Sequence, residues 1–232
     1  MKHLKLFAAL CCTAMLFAAC DKSNEPDNPK MVITGTENGH EWVDLGLPSG
    51  TKWATCNVGA NAPEAYGNYY AWGETAPKDN YSWGTYKLCN GNYNNLTKYN
   101  TNSEFGTVDN KTTLDPEDDA AAVNWGGKWR MPTDDEWTEL RENCTWTWTS
   151  LNGVNGYEVK SNANGNSIFL PAAGYRFDGL DGAGDYGYYW SSSLDADYPI
   201  HAWFVTFSSD NVNRGSSGRC YGLSVRPVEV SV

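Results

Sequence analysis

Residues Asn124–Leu140 read NWGGKWRMPTDDEWTEL, and the order of residue types in this run predicts a helix start held by its own side chains. Thr133 followed three positions later by Glu136 is a capping box: the threonine oxygen accepts an amide hydrogen of the first turn, and the glutamate reaches back to the cap. Pro132 keeps the preceding backbone extended, so a helix begins after Thr133 and runs to about Cys144. Met131 and Trp137 stand where a hydrophobic staple would close the entry. Trp129, Arg130, Pro132, Thr133, Glu136 and Trp137 are therefore assigned to structure rather than to chemistry.

Just upstream, Asp115 stands as an N-cap candidate and Pro116 as a first helical residue. Glu117, Asp118 and Asp119 precede Ala120–Val123, which predicts a short helix with acids at its positive end. Those acids could hold calcium, but the favourable helix-end interaction accounts for them without an ion, and no metal site is assigned.

Further out, EWVDL (Glu41–Leu45), a Pro48-Ser49-Gly50 turn and TKWATC (Thr51–Cys56) read as a hairpin. Asn61–Asn110 is Tyr- and Asn-rich, with turn signals but no sustained period, and reads as ordered loop. On the other side, Tyr157–Lys160, Ser167–Leu170, Tyr188–Ser193 and Ala202–Phe207 read as strands, and Gly222–Val228 closes the sheet. Asp178–Gly187 is a Gly/Asp loop whose acids lack calcium-loop spacing. The 11 Trp, 14 Tyr and 23 Gly favour short strands and tight turns over a helix bundle. The chain of 232 residues suits one domain, of α+β class with two short helices, antiparallel sheets and long ordered loops.

WGGKWRMPTDDEWTEL resembles the W-G-x-R-L-P-T-x-x-E-W-E signature of formylglycine-generating-enzyme-type domains, a branch of the C-type-lectin-like fold. HEWVDLGLPSGTKWATCNVGA, YAWGE, SIFLPAAGYR, YYWSSS and GLSVRPV, in this order between about His40 and Val228, are similar to the Fibrobacter succinogenes major paralogous domain family, abundant in surface lipoproteins of Bacteroidota. The resemblance implies a C-type-lectin-like domain with twisted antiparallel sheets over residues 40–232. The formylglycine-generating branch works through reactive cysteines near the end of the domain. Cys220 has no partner cysteine in its segment, so that activity is not carried over.

The first twenty residues, MKHLKLFAALCCTAMLFAAC, join a basic start to an apolar run too short for a permanent membrane span, which reads as an export signal over residues 1–19. Phe17-Ala18-Ala19-Cys20 resembles the lipobox of bacterial lipoproteins, which implies a lipidated Cys20 carrying palmitate-type chains and an outer-membrane, surface-exposed location. Residues 20–39 are the lipidated cysteine and a polar, proline-bearing tether.

The formal charge is −11, and loss of Lys2 and Lys5 with a leader that holds no acid takes it to −13. Nucleic acid and anionic lipid faces are thereby disfavoured as partners, leaving the lipid anchor as the only membrane contact. Cys56, Cys89, Cys144 and Cys220 permit disulfides in an exported chain, with three pairings open. Their spacing gives no zinc motif, and no cofactor is read.

Function reads as an interaction module for a protein or glycan ligand. Glycoside hydrolysis needs only two placed carboxylates, so an envelope enzyme acting on carbohydrate stands as the alternative, beside a structural surface protein without a discrete ligand. Calcium-lectin motifs are absent from the domain sequence. Stacking on sugar is open to Tyr69, Tyr70, Trp72, Tyr188, Tyr189, Trp190 and Trp203, most of them read as core. In relatives of the resembled fold, ligand contacts collect in the segment that corresponds to Leu194–Tyr221. Asp195, Asp197, Tyr198, His201, Asp210, Asn211, Asn213, Arg214, Arg219 and Tyr221 are the candidate ligand-binding residues there.

Overall fold

A computed structural model describes residues 31–229. The leader, Cys20 and the tether up to residue 30 lie outside the described residues. The strands are β1 (Gly35–Glu37), β2 (His40–Asp44), β3 (Lys52–Ala54) and β4 (Tyr69–Tyr70), followed by helix α1 (Ala120–Trp125), β5 (Trp129–Arg130) and helix α2 (Asp134–Asn143). Then come β6 (Cys144–Leu151), β7 (Val154–Ser161), β8 (Ser167–Pro171), β9 (Tyr175–Arg176) and β10 (Leu180–Asp181). The chain continues through β11 (Gly187–Leu194), β12 (His201–Ser208), β13 (Asn211–Gly218), β14 (Leu223–Ser224) and β15 (Val228–Glu229). The described residues thus form a mixed, mostly sheet structure of α+β class.

One five-stranded sheet runs β1-β2-β3-β15-β5 and a second β13-β12-β11-β14-β4; β6-β7-β8 form a three-stranded meander, and β9 pairs with β10. Every pairing between these strands is antiparallel except β11 with β14, which is parallel through Tyr189↔Ser224. The folded unit reaches back to Gly35, so the tether expected over residues 20–39 is too long: Thr36 and Glu37 pair with Glu41 and His40.

Thr133 caps α2 in the box that the sequence predicts: its Oγ1 accepts the Glu136 amide hydrogen at 3.2 Å, and Glu136 Oε2 accepts that of Thr133 at 2.8 Å. Met131 and Trp137 fall in different parts of the core, so no staple joins them. Met131 packs with Trp72, Trp125 and Trp190, while Trp137 lies 4.7 Å from Trp53, ring centre to ring centre. The first helix is also displaced. Pro116–Asp118 is a 3-10 turn, and α1 starts after Asp119, whose Oδ1 accepts from Ala121 and Ala122 at 2.8 and 3.0 Å. Asp119 wins the cap because its other oxygen also accepts the Met131 amide hydrogen at 2.8 Å, tying helix to strand entry. Asp115 makes no side-chain cap.

Two eight-residue strands lay outside the sequence reading, as did the short strands β1, β4, β5, β9 and β10. β6 (CTWTWTSL) sets Trp146 and Trp148 against Tyr157 and Phe207. β13 pairs residue for residue with β12. The long passage between Asn61 and Asn110 is mostly irregular, with β4 and two 3-10 turns. It is held by side-chain bonds such as that of the Tyr86 hydroxyl to the Trp72 carbonyl, 2.7 Å. Cys56, Cys89, Cys144 and Cys220 are all free. Among the described residues no helix is long and apolar enough to cross a membrane.

Candidate binding site

An aromatic hollow lies over the second large sheet. Tyr175 of β9, Tyr188 of β11, Phe204 of β12, Ser217 of β13, Tyr221 of the following turn and Leu223 of β14 line a pocket of about 230 Å³. Each wall comes from a different segment, and backbone pairing fixes their relation. Arg176 and Gly222 exchange amide hydrogen bonds of 2.8 and 2.9 Å, which sets Tyr175 beside Tyr221, with ring centres 6.1 Å apart. Gly222 is required there, because a Cβ would come within 2.6 Å of the Tyr81 ring.

The rings follow one another at steep angles. Phe204 to Tyr188 is 5.8 Å at 58°, Tyr188 to Tyr175 is 5.2 Å at 72°, and Tyr175 to Tyr221 is 61°. They build a concave wall rather than a flat platform. The Tyr175 hydroxyl donates to Asp181 Oδ2 at 3.0 Å, and that bond, with burial, pushes the phenol above its ordinary range. Burial does the same to Tyr188 and Tyr221. At neutral pH the wall is therefore uncharged, polar at its hydroxyls and apolar at its faces, which suits holding a ligand better than moving a proton.

The ten expected ligand residues do not converge. Asp210 and Asn211 sit at the tip of the β12–β13 hairpin, while His201 pairs with Gly218 at the other end, roughly 25 Å away along an eight-residue strand. Asp197, Asp210, Asn211 and Asn213 are exposed. Asp195 is nearly buried at 8 %. Tyr198 packs edge-on against Phe105 and His201, at 5.4 and 4.7 Å, and burial lowers the pKa of His201. Arg214 is engaged within the fold: its Nε donates to both oxygens of Asp134 at 2.9 Å, and its guanidinium lies 3.3 Å over the Trp203 ring. Of the ten, only Tyr221 lines the aromatic pocket.

Arg219 must be withdrawn from the ligand set, because its side chain has no solvent exposure. Its Nε donates to the Tyr86 hydroxyl at 2.9 Å, Nη1 to the carbonyls of Tyr99 and Pro199 at 2.9 and 3.0 Å, and Nη2 to that of Lys98 at 3.0 Å. Arg226 plays the same part elsewhere, bonding Asn57 and the carbonyls of Ala54, Thr55 and Phe169. A planar five-donor fork collects carbonyls that irregular loops leave without strand partners. Trp129, Arg130, Pro132, Thr133, Glu136 and Trp137 form the frame behind α2. Arg130 pairs with both Glu136 oxygens at 2.7 and 2.5 Å, and the Trp129 indole donates to the Glu37 carbonyl at 2.8 Å.

Among the described residues, one group of three potential metal ligands comes together, Asp115, Glu117 and Asp118. The Lys98 ammonium lies 2.7, 3.3 and 2.5 Å from their oxygens, so a cation of the chain itself stands where an ion would. Sequence reasoning named Tyr188 among the aromatics open to stacking but missed Tyr175, Phe204, Ser217 and Leu223 as site residues. Tyr69, Tyr70, Trp72, Tyr189 and Trp190 are buried, as core residues.

No protein-family model matches the chain, and neither the curated proteins nor the solved structures contain a significant match to it.

Proposed function

We propose that this chain is a lipid-anchored interaction module of the outer-membrane surface, a C-type-lectin-like domain of the major paralogous type that binds a protein or glycan ligand. The observation that carries the reading is the aromatic pocket, an open concave site whose phenols stay neutral and whose walls are pinned by backbone pairing. Rigid aromatic groups with hydroxyl edges give contact area at little entropic cost, which is what recognition needs. Reactive groups are not prominent in the lining, so the module is read as non-catalytic. The lipobox resemblance supplies the anchor, with Cys20 as its attachment point.

The test is to probe glycan and protein arrays with the full chain and with a Tyr188→Ala, Tyr221→Ala double variant. A ligand held by the wild type and lost by a variant that keeps its thermal midpoint supports the reading. Unchanged binding would move the site elsewhere, and turnover of a bound glycan would favour the envelope-enzyme alternative. For the anchor, Cys20→Ser is expected to shift the protein from the membrane to the soluble fraction, because acyl chains supply apolar burial that an acidic surface lacks.

A further inference from the structure

We propose that the group taken into the aromatic pocket is a quaternary ammonium cation of the choline type. The proposal rests on the reading of the chain as a binding module and adds the chemistry of its ligand. Three observations converge on a cation. Four of the six lining residues are aromatic, Tyr175, Tyr188, Phe204 and Tyr221, and the quadrupole of such a ring attracts positive charge within about 6 Å of its centre. The lining contains no Lys or Arg. Carboxylates stand close by: Asp181 accepts the Tyr175 hydroxyl at 3.0 Å, which enriches that ring in electron density, and Asp178 is close enough to Tyr221 to raise its phenol. Arg176, the neighbour of Tyr175, lines a separate pocket with Tyr69 and Lys78, its guanidinium 5.2 Å from the Tyr69 ring, and so leaves the aromatic pocket without a lining cation.

Shape and hydration select the kind of cation. Rings inclined to one another by 58° to 72° curve around a rounded group, whereas a sugar ring stacks best on one flat face. A lysine ammonium is compact and strongly hydrated. It would need strong acceptors to replace its water, and the lining offers neutral hydroxyls and no carboxylate. A quaternary ammonium has no N–H to satisfy, and its methyl groups lie against ring faces with little loss of hydration. The pocket of about 230 Å³ has room for such a headgroup.

The experiment titrates the full chain with choline chloride, with its neutral isostere 3,3-dimethyl-1-butanol and with N-acetyl-lysine methylamide, following binding by calorimetry. Choline is expected to bind about tenfold more tightly than the neutral isostere. Tyr188→Leu and Tyr221→Leu, which keep apolar bulk, are each expected to weaken choline several-fold, while Tyr188→Phe retains it, and the thermal midpoint of each variant shows that it folds. Equal binding of the isostere would reduce the site to an apolar slot and overturn the proposal. Equal binding of the lysine derivative would overturn the choice of a quaternary group, and choline binding unchanged in both leucine variants would overturn the location. If choline does not bind while an array ligand is still lost on changing Tyr188 and Tyr221, the ligand class is wrong and the binding module stands. If neither is seen, both readings fall.

Discussion

The guanidinium of Arg219 lies 4.9 Å from the centre of the Trp72 ring, and neither side chain reaches solvent. The pair joins the β13–β14 turn to the long passage after β4. Arg219→Lys removes the planar fork and leaves several carbonyls and the Tyr86 hydroxyl short of donors, each worth about 1–3 kcal/mol when buried and unmet. A loss of at least about 3 kcal/mol in urea unfolding is expected, with faster proteolysis between Tyr86 and Tyr99. A loss under about 1 kcal/mol would show that the loops are held by other means.

The cap and the core of α2 separate cleanly by magnitude. Thr133→Ala loses one capping bond and is expected to cost about 1 kcal/mol. Trp137 is 1 % exposed and donates to the Trp190 carbonyl at 3.2 Å, so Trp137→Ala is expected to cost about 3–5 kcal/mol. Reversal of that order in thermal unfolding would contradict the assignment of Trp137 to the core.

Acid should weaken the fold partly through Asp115. Lys111 first, and Lys98 with it, hold this carboxyl down at about 2. A folded-state value below the unfolded one, about 3.9, means that the ion pairs contribute above that unfolded value and are lost as pH falls towards 2. Asp115→Asn is expected to flatten the stability profile between about pH 4 and pH 2. Identical slopes for the two proteins in that window would rule this contribution out.

The free cysteines divide by exposure. Burial pushes Cys144 and Cys220 up to about 12 and raises Cys89 as well, so these three are thiols at neutral pH, and all three are buried. Cys56 is only half-buried. A thiol reagent at pH 8 is expected to label Cys56 rapidly and the other three only on unfolding, with no change in thermal midpoint on adding reductant. Rapid native labelling of Cys144 would contradict its place in the core.

The legible parts of the fold were those where chemistry is local. Thr133 and Glu136 lie one helical turn apart, and β2, β3, β8, β11 and β12 show their strands in apolar or alternating runs. The β6 signal was also present, as threonine alternating with Trp146 and Trp148, but it follows α2 without a turn residue, so helix end and strand start merge. β13 is Asn211–Gly218, polar and glycine-bearing; it is a strand because β12 offers it a ladder, and such tertiary context overrides propensity. Arg219 was misread because an arginine in a polar, glycine-rich stretch is ordinarily solvated. Its burial depends on carbonyls from Lys98, Tyr99 and Pro199, up to 121 positions away. The pocket was hidden for the same reason: Tyr175 and Phe204 are unremarkable singly, and they join Tyr221 in a site only where β9 meets the turn before β14 beside β11 and β12.

The placement of β15 between β3 and β5, and of β14 between β11 and β4, sets a clock on maturation. However much of residues 31–220 has been synthesised, both large sheets still lack an interior strand, so neither can close. The two sheets therefore close together, in one event that waits for residues 223–229. Removing residues 223–229 would take an interior strand from both sheets at once and is expected to leave neither of them closed.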